Sequence, residues 1–215
     1  MRSDPYLRPM NSLKVSIITA TYNSAKTVGD TLESVAQQSY QNIEHLIVDG
    51  VSKDQTLEIV KQFPHVGAVR CEKDRGIYDA MNKGIGMASG DVIGILNSDD
   101  IYQDSSVISK VAEEFRDPTV MAVYGDLVYV EEDNLAKVVR NWQSGSFDRK
   151  KFLNGWMPPH PTFFVRREAY ESCGTFDLEF KSAADYELML RFLYKNEMSI
   201  ISEVIFNDSY IWIFY

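Results

Sequence analysis

The sequence predicts an α/β protein: a mostly parallel sheet covered by helices on both faces. Three observations predict it. Along the first half, short β-branched apolar runs alternate with segments whose apolar residues recur at helical spacing. Polar residues cluster just after each of the first four apolar runs, where open α/β sheets bind their ligands. The composition, 45% hydrophobic and 25% charged over 215 residues, is that of one globular domain.

The elements follow in order. Val15 to Ala20 is a β-branched run of strand length, and Asn23 or Ser24 is placed to cap a helix carrying Ala25, Val28, Leu32 and Val35. Ile43 to Val48 is a second strand, ending at the turn pair Asp49-Gly50. Asp54 can cap a helix bearing Leu57, Val60 and Lys61, and Val66 to Cys71 is the third strand. Gly76 to Ala88 places Ile77, Ala80, Met81, Gly84, Ile85 and Ala88 on a helical stripe. Val92 to Leu96 is the fourth strand, followed by Asn97-Ser98-Asp99-Asp100 and a helix from Ser105 to Phe115. Crossovers in such an order are right-handed.

The second half reads as α+β on the same sheet. Met121 to Tyr124 is a strand, and Leu127 to Val130 with Lys137 to Asn141 forms a hairpin around Glu132-Asp133-Asn134. Phe147 to Leu153 is a short helix, Thr162 to Val165 a strand, and Arg167 to Ser172 a helix stopped by Gly174. Ala184 to Lys195 is a longer helix with Leu188, Met189, Phe192 and Leu193 on one side, and Ser199 to Ile205 a last strand. No linker divides the halves. One domain therefore spans 14–205, as 14–117 and 118–205, between an extension (1–13) and an apolar tail (206–215).

Charge narrows the partners. Twenty-two Lys and Arg against 31 Asp and Glu give a net charge of −9, a poor match for sequence-independent nucleic-acid binding, although it leaves room for local basic patches. A chain this acidic that handles phosphorylated substrates needs metal ions or helix N-termini to offset its charge. Cys71 and Cys173 are too far apart for a zinc pattern and too few for a disulfide scaffold. They read as reduced core thiols of a cytoplasmic protein. Met1 to Lys14 has no apolar stretch resembling a secretory signal, and no apolar run approaches the roughly 18 residues of a membrane span.

Asp99-Asp100 is the sharpest polar feature. Adjacent carboxylates repel unless a cation sits between them, and oxygen ligands suit Mg²⁺ or Mn²⁺ bridging a diphosphate. The plainer reading is an acidic turn before a helix. Asp49 is either a turn residue or an acceptor for a base or ribose, and Tyr22 either stacks on a base or covers the sheet edge. A helix N-terminus near Asn23-Ser24 suits phosphate. No dinucleotide glycine fingerprint, phosphate-binding P-loop or nucleophile elbow is present. His45, inside a strand, reads as structural.

Four segments resemble the family-2 glycosyltransferases: Val15 to Asn23, Val48 to Thr56, Asp74 to Gly84 and Gly90 to Asp100. His160 to Arg167, Gly174 to Asp177 and Ala183 to Leu188 fit the same family. The resemblance implies a GT-A fold, with a nucleotide-binding half (14–117) and an acceptor-binding half (118–205). It implies an inverting, Mg²⁺- or Mn²⁺-dependent enzyme that takes a nucleotide-sugar donor and a glycan or lipid-linked acceptor at the inner face of the cell membrane. Uridine is the base by family frequency. By motif, Thr19, Tyr22, Asn23 and Asp49 would hold the nucleoside, and Asp74, Arg75, Asp79 and Asn82 would line its pocket. Asp99 and Asp100 would be the metal and ribose carboxylates, and Asp185 the catalytic base. His160 would lie near the diphosphate or acceptor. Asp185 begins the apolar stripe of Leu188, Met189 and Phe192, where burial would make it a stronger base; the competing reading is a helix cap.

Three departures stand out. Val51 replaces a small residue, Gln55 replaces a frequent glycine and would strain a left-handed turn, and Asn97 replaces a frequent acid. Relatives usually continue beyond the strand after the Asp185 helix. Here Ser209 to Tyr215 is an aromatic tail that completes the sheet or touches a membrane or partner. A catalytically silent nucleotide-sugar-binding domain is the competing function. A nucleotidyltransferase would need a Gly-rich, Arg-containing loop that Thr19 to Ser24 lacks.

Overall fold

A computed structural model of the chain describes residues 13–131, 134–195 and 211–214. Its elements in order are β1 (Val15–Thr21), α1 (Val28–Ala36), β2 (Ile43–Asp49), α2 (Thr56–Val60), β3 (Val66–Cys71), α3 (Ile77–Met87), β4 (Val92–Ile95), β5 (Asp100–Tyr102) and α4 (Val107–Glu114). There follow β6 (Ala122–Val123), β7 (Leu127–Glu131), β8 (Asn134–Trp142), β9 (Phe164–Arg166), α5 (Arg167–Cys173), α6 (Ala184–Met189) and β10 (Ile211–Phe214).

The central sheet has the order β3-β2-β1-β4-β9-β6. β3, β2, β1 and β4 run parallel; β9 is antiparallel to both β4 and β6. Period-two alternation sends opposite residues to opposite faces. Ile18, Leu46, Val48, Ile93 and Ile95 pack with α3, α5 and α6. Val15, Ile17 and Val92 pack with α4, and Ile47 packs with Val28 and Leu32 of α1 and Val60 of α2. α3 lies unusually close to β1: a Cβ on Gly84 would stand 2.3 Å from Ile18 Cγ2.

The second half departs from its expected place. Only β6 and β9 join the central sheet. A second, four-stranded sheet has the order β5-β10-β7-β8, with β10 antiparallel to β5 and parallel to β7. The apolar tail thus supplies a strand, but to a different sheet. β5 was unforeseen because three residues beginning with an aspartate carry no readable period, and its partner is remote in sequence. The hairpin forms as expected from β7 and β8.

Helix boundaries shift for local reasons. α1 begins at Val28, because the Ser24 carbonyl accepts from Thr27 N and Val28 N in a turn, and Asn23 is left-handed at φ 52° instead of capping. Asp54 Oδ1 accepts from Thr56 N at 3.0 Å, but the cap position of α2 is Gln55, one residue later than expected. The short helix before Trp156 is a 3₁₀ turn, Arg149–Asn154. Thr162 belongs to another, His160–Thr162, so β9 starts later than expected. The helix at 184–195 is α-helical to Met189 and widens to a π-helix over Leu190–Lys195. Gly174 ends α5 at φ 85°. Both cysteines are free, but Cys71 is exposed and Cys173 half-buried, so neither is a core thiol. The strand expected at 199–205 lies outside the described residues, as does the extension but for Leu13.

Candidate active site

Because β1 to β4 are parallel, their carboxyl ends share one edge. A cleft of about 460 Å³ opens there between Tyr22 and Ser24 after β1, Asp74, Gly76 and Ile77 at the start of α3, and Asn97 to Asp99 after β4. A second hollow, about 310 Å³, adjoins it, and Ile77 and Asn97 line both. Its other walls are Leu127 and Tyr129 of β7, Trp142 of β8, His160, and Asp185 from the first turn of α6.

The loops at this edge are tied together. Ser24 Oγ and Ser98 Oγ are 2.8 Å apart, joining the turns after β1 and β4. Asn23 N donates to Ser52 Oγ at 2.9 Å, and Asn23 Oδ1 accepts from Lys53 N at 2.8 Å. Gly50 lets the loop after β2 press against the cleft wall: a Cβ there would meet Asp74 Oδ2 at 2.5 Å and Tyr22 Cδ2 at 3.3 Å. Val51 takes the left-handed conformation, φ 67°, while Gln55 has φ −81°. The strain expected at Gln55 therefore falls on Val51.

Of the residues singled out from sequence, Tyr22, Asp74 and Asp99 line the first cleft, and His160 and Asp185 the second. The others do not. Thr19 is fully buried, and its Oγ1 pairs with His45 Nε2 at 3.1 Å, because alternation along β1 turns it away from α3. Asp49 is also fully buried. Its oxygens accept from Thr21 Oγ1, Ser52 N, Ser52 Oγ and Cys71 Sγ. Burial pushes this carboxyl up, but the Ser52, Thr21 and Cys71 hydrogen bonds outweigh it and hold it below its ordinary value.

Asp79 accepts from Arg75 N at 3.0 Å and pairs with Lys83 at 3.3 Å, so it shapes the turn entering α3. The Arg75 side chain points to a separate hollow with Phe180 and Lys181. Asn82 clamps the backbone of Phe176 through both amide atoms, at 2.8 and 2.9 Å.

Asp99 and Asp100 part company. Asp99 is exposed on the cleft, whereas Asp100 opens β5 and is 1% exposed. Asn97 Nδ2 donates to Asp100 Oδ2 at 2.8 Å. Burial, then the Asp99 charge, push the Asp100 carboxyl up to about 8. Asn97 Oδ1 is buried without a hydrogen-bond partner. Among the described residues no cluster of three or more His, Cys, Asp or Glu could hold a metal.

Asp185 is the second residue of α6, not its cap, and its carboxylate suits a helix N-terminus. Burial holds the His160 ring below its ordinary pKa, although the Asp185 charge pulls the other way. Sequence reasoning missed Tyr78, whose hydroxyl donates to Asp185 Oδ1 at 3.1 Å across 107 residues of sequence. It also missed Tyr129 and Trp142, between which Arg140 lies 5.6 and 5.4 Å from the two rings. Aromatics at same-face positions of a hairpin were the available signal.

An open α/β sheet with paired clefts at its carboxyl edge, flanked by a small second sheet, defines a protein of the GT-A class. Residues 16–174 match the model of "Glycosyl transferase family 2", and the chain belongs to that family. A PGL/p-HBAD biosynthesis glycosyltransferase of Mycobacterium bovis is 31% identical over 182 residues, 82% of this chain and 68% of the relative. S. aureus TarS, solved with UDP-GlcNAc, superposes with a TM-score of 0.75 at 22% identity, over 94% of this chain. The mannosyltransferase PcManGT of Pyrobaculum calidifontis, solved with GDP-Man and Mn²⁺, superposes at 0.66 with 20% identity, over 92% of this chain. The chain spans 59% of the TarS chain and 58% of the PcManGT chain.

Proposed function

We propose that the protein is an inverting glycosyltransferase moving a sugar from a nucleoside diphosphate, taken as UDP, to a hydroxyl of a glycan or lipid-linked acceptor in cell-surface polysaccharide or glycolipid synthesis. The observation that carries this is the contiguity of the two clefts through Ile77 and Asn97, with Asp99 on one and Asp185 on the other. In this reading Tyr22 and Asp74 meet the nucleoside. Asn23, Asp49, Asp79 and Asn82 act behind them by fixing loops.

Asp99, exposed on the cleft, would hold Mg²⁺ or Mn²⁺ together with phosphate and water oxygens, and the orphaned Asn97 Oδ1 of the same turn is a further oxygen donor, whereas Asp100 is buried and does not line the cleft. When bound, such an ion would supply charge neutralisation for the departing diphosphate. The chain's own groups do the rest. The acceptor oxygen bonds to the anomeric carbon as the bond to the diphosphate oxygen breaks, and Asp185 takes the hydroxyl proton. His160 and Tyr78 orient the acceptor and Asp185. The solved TarS and PcManGT complexes, which carry UDP-GlcNAc and GDP-Man with Mn²⁺, support a nucleotide-sugar donor.

The test is thermal unfolding with UDP, GDP, CDP and dTDP, each with and without Mn²⁺. A ligand at 100 times its dissociation constant adds about 2.7 kcal/mol. A metal-dependent rise with UDP supports the donor site; no rise with any nucleotide overturns it. Stabilisation without turnover on any acceptor would make the chain a nucleotide-sugar-binding domain instead.

A further inference from the structure

The chain carries a net charge of −9, yet one surface is strongly basic. The 3₁₀ turn Arg149–Asn154 bears Arg149, Lys150 and Lys151 in succession. Arg191 and Lys195 of the π-helical segment share a hollow of about 480 Å³ with Arg149. The Arg149 guanidinium lies 4.6 Å over the Tyr194 ring, which joins the two segments. Five cations meet three carboxylates here: Asp148, Glu187, which is paired with Arg191 at 2.7 Å, and Asp177, whose charge also acts on Arg191.

The turn also has an apolar outer row. In a 3₁₀ helix, residues three apart eclipse one another. Arg149 and Phe152 make the inner row, and Phe152 is fully buried. Lys150 and Leu153 make the outer row, and Leu153 is 68% exposed, more than any other large apolar side chain described. A cation beside an outward leucine suits the boundary between lipid headgroups and acyl chains. The turn is wired to the second cleft: the Tyr186 hydroxyl, next in sequence to Asp185, donates to the Phe152 carbonyl at 2.5 Å.

We propose that this surface docks the protein on an anionic lipid bilayer, with Leu153 among the headgroups and the exposed Lys150 and Lys195 facing lipid phosphates. No helix among the described residues is long and apolar enough to cross a membrane, and the contact proposed for this surface is with headgroups and their boundary. The acidic remainder does not prevent it, because charges farther than about 8 Å are largely screened at physiological salt. Each lysine at an anionic surface adds attraction. The purpose of the contact, presenting a lipid-borne acceptor to Asp185, rests on the function proposed above; the lipid binding itself does not.

The experiment is co-sedimentation of the full chain with vesicles of equal parts phosphatidylglycerol and phosphatidylcholine, and with phosphatidylcholine alone. Binding is expected to the mixed vesicles only, and to weaken with salt. Lys150→Glu/Leu153→Ser should lower it at least tenfold, while the control Lys61→Glu/Val69→Ser, on other exposed positions, leaves it unchanged. Both variants should keep the parent's unfolding midpoint and its response to UDP with Mn²⁺. Absence of binding, equal binding to neutral vesicles, or binding indifferent to the first variant overturns the proposal. Vesicle binding without a nucleotide response would overturn the donor-site reading alone.

Discussion

The Tyr78 hydroxyl donates to Asp185 Oδ1 at 3.1 Å, while its ring stacks on Phe176 with centroids 5.4 Å apart. Tyr78 belongs to α3 in the first half of the chain and Asp185 to α6 in the second. One side chain therefore fixes a carboxylate across the junction of the two halves. Asn82 strengthens the junction by clamping Phe176 from the same helix.

Tyr78→Phe keeps the ring stack and removes the hydroxyl. Turnover is expected to fall about tenfold, the value of one hydrogen bond of ~1.4 kcal/mol, with nucleotide affinity unchanged. Asp185→Asn should lose roughly 10²- to 10⁴-fold of turnover and also keep donor binding. Steady-state kinetics beside nucleotide titration would check both; retained turnover in Asp185→Asn would remove it as the base.

Asp99→Asn should weaken Mn²⁺-dependent nucleotide binding at least tenfold, and a chelator should do the same to the parent. Unaltered affinity in either case would sink the assignment of the ion to this corner.

Asp100→Asn should behave differently in metal-free protein. The folded carboxyl sits at about 8, above its ordinary value of 3.8. It therefore costs stability increasingly as pH rises from the unfolded value toward the folded one. The substitution should raise stability at pH 7 by about 1 kcal/mol or more, measured by denaturant unfolding with chelator present. Equal or lower stability would contradict the buried, uncompensated carboxyl.

His45 acts in the opposite sense. Burial, then the neighbouring His65, hold it at about 3, well below 6.5. Its contribution is complete above the unfolded value and is lost as pH falls toward the folded one. Between pH 7 and pH 5 that loss is about 2 kcal/mol. Because Asp100 opposes it throughout this window, the informative quantity is the difference between variant and parent. His45→Gln should be less stable than the parent at pH 7, with the gap narrowing toward pH 5; a constant gap would refute the buried neutral imidazole.

Val51 sits at φ 67°, a region in which a β-branched residue is strained. Val51→Gly should raise stability by about 1 kcal/mol, whereas the same change in ordinary extended backbone lowers it. A fall in the unfolding midpoint would show that the strain is illusory.

Sequence legibility followed the range of the determining contacts. β1 to β4 and α3 were readable because Val15, Ile17, Ile47 and Ile85 declare local periods, and parallel pairing then brings Tyr22, Asp74 and Asp99 to one edge. Thr19 and Asp49 were placed in the site by motif, yet both face inward; only the strand's alternation against its real neighbours decides that. The second sheet was opaque because β5 is three residues long and finds its partner far along the chain. For the same reason Tyr78 stayed hidden behind Asp79.

The insertion of β10 between β5 and β7 sets an order of assembly. Asp100 is synthesised early and pairs with Ile213, so β5 and β7 cannot be bridged until residue 214 has left the ribosome. Contacts of such long sequence separation form slowly. The parallel core can condense first, leaving the wall that carries Tyr129 and Trp142 as the last part to close. A nascent or clipped chain lacking residues 211–214 would then keep a donor cleft while exposing an open sheet edge, the form most prone to pair with a second chain.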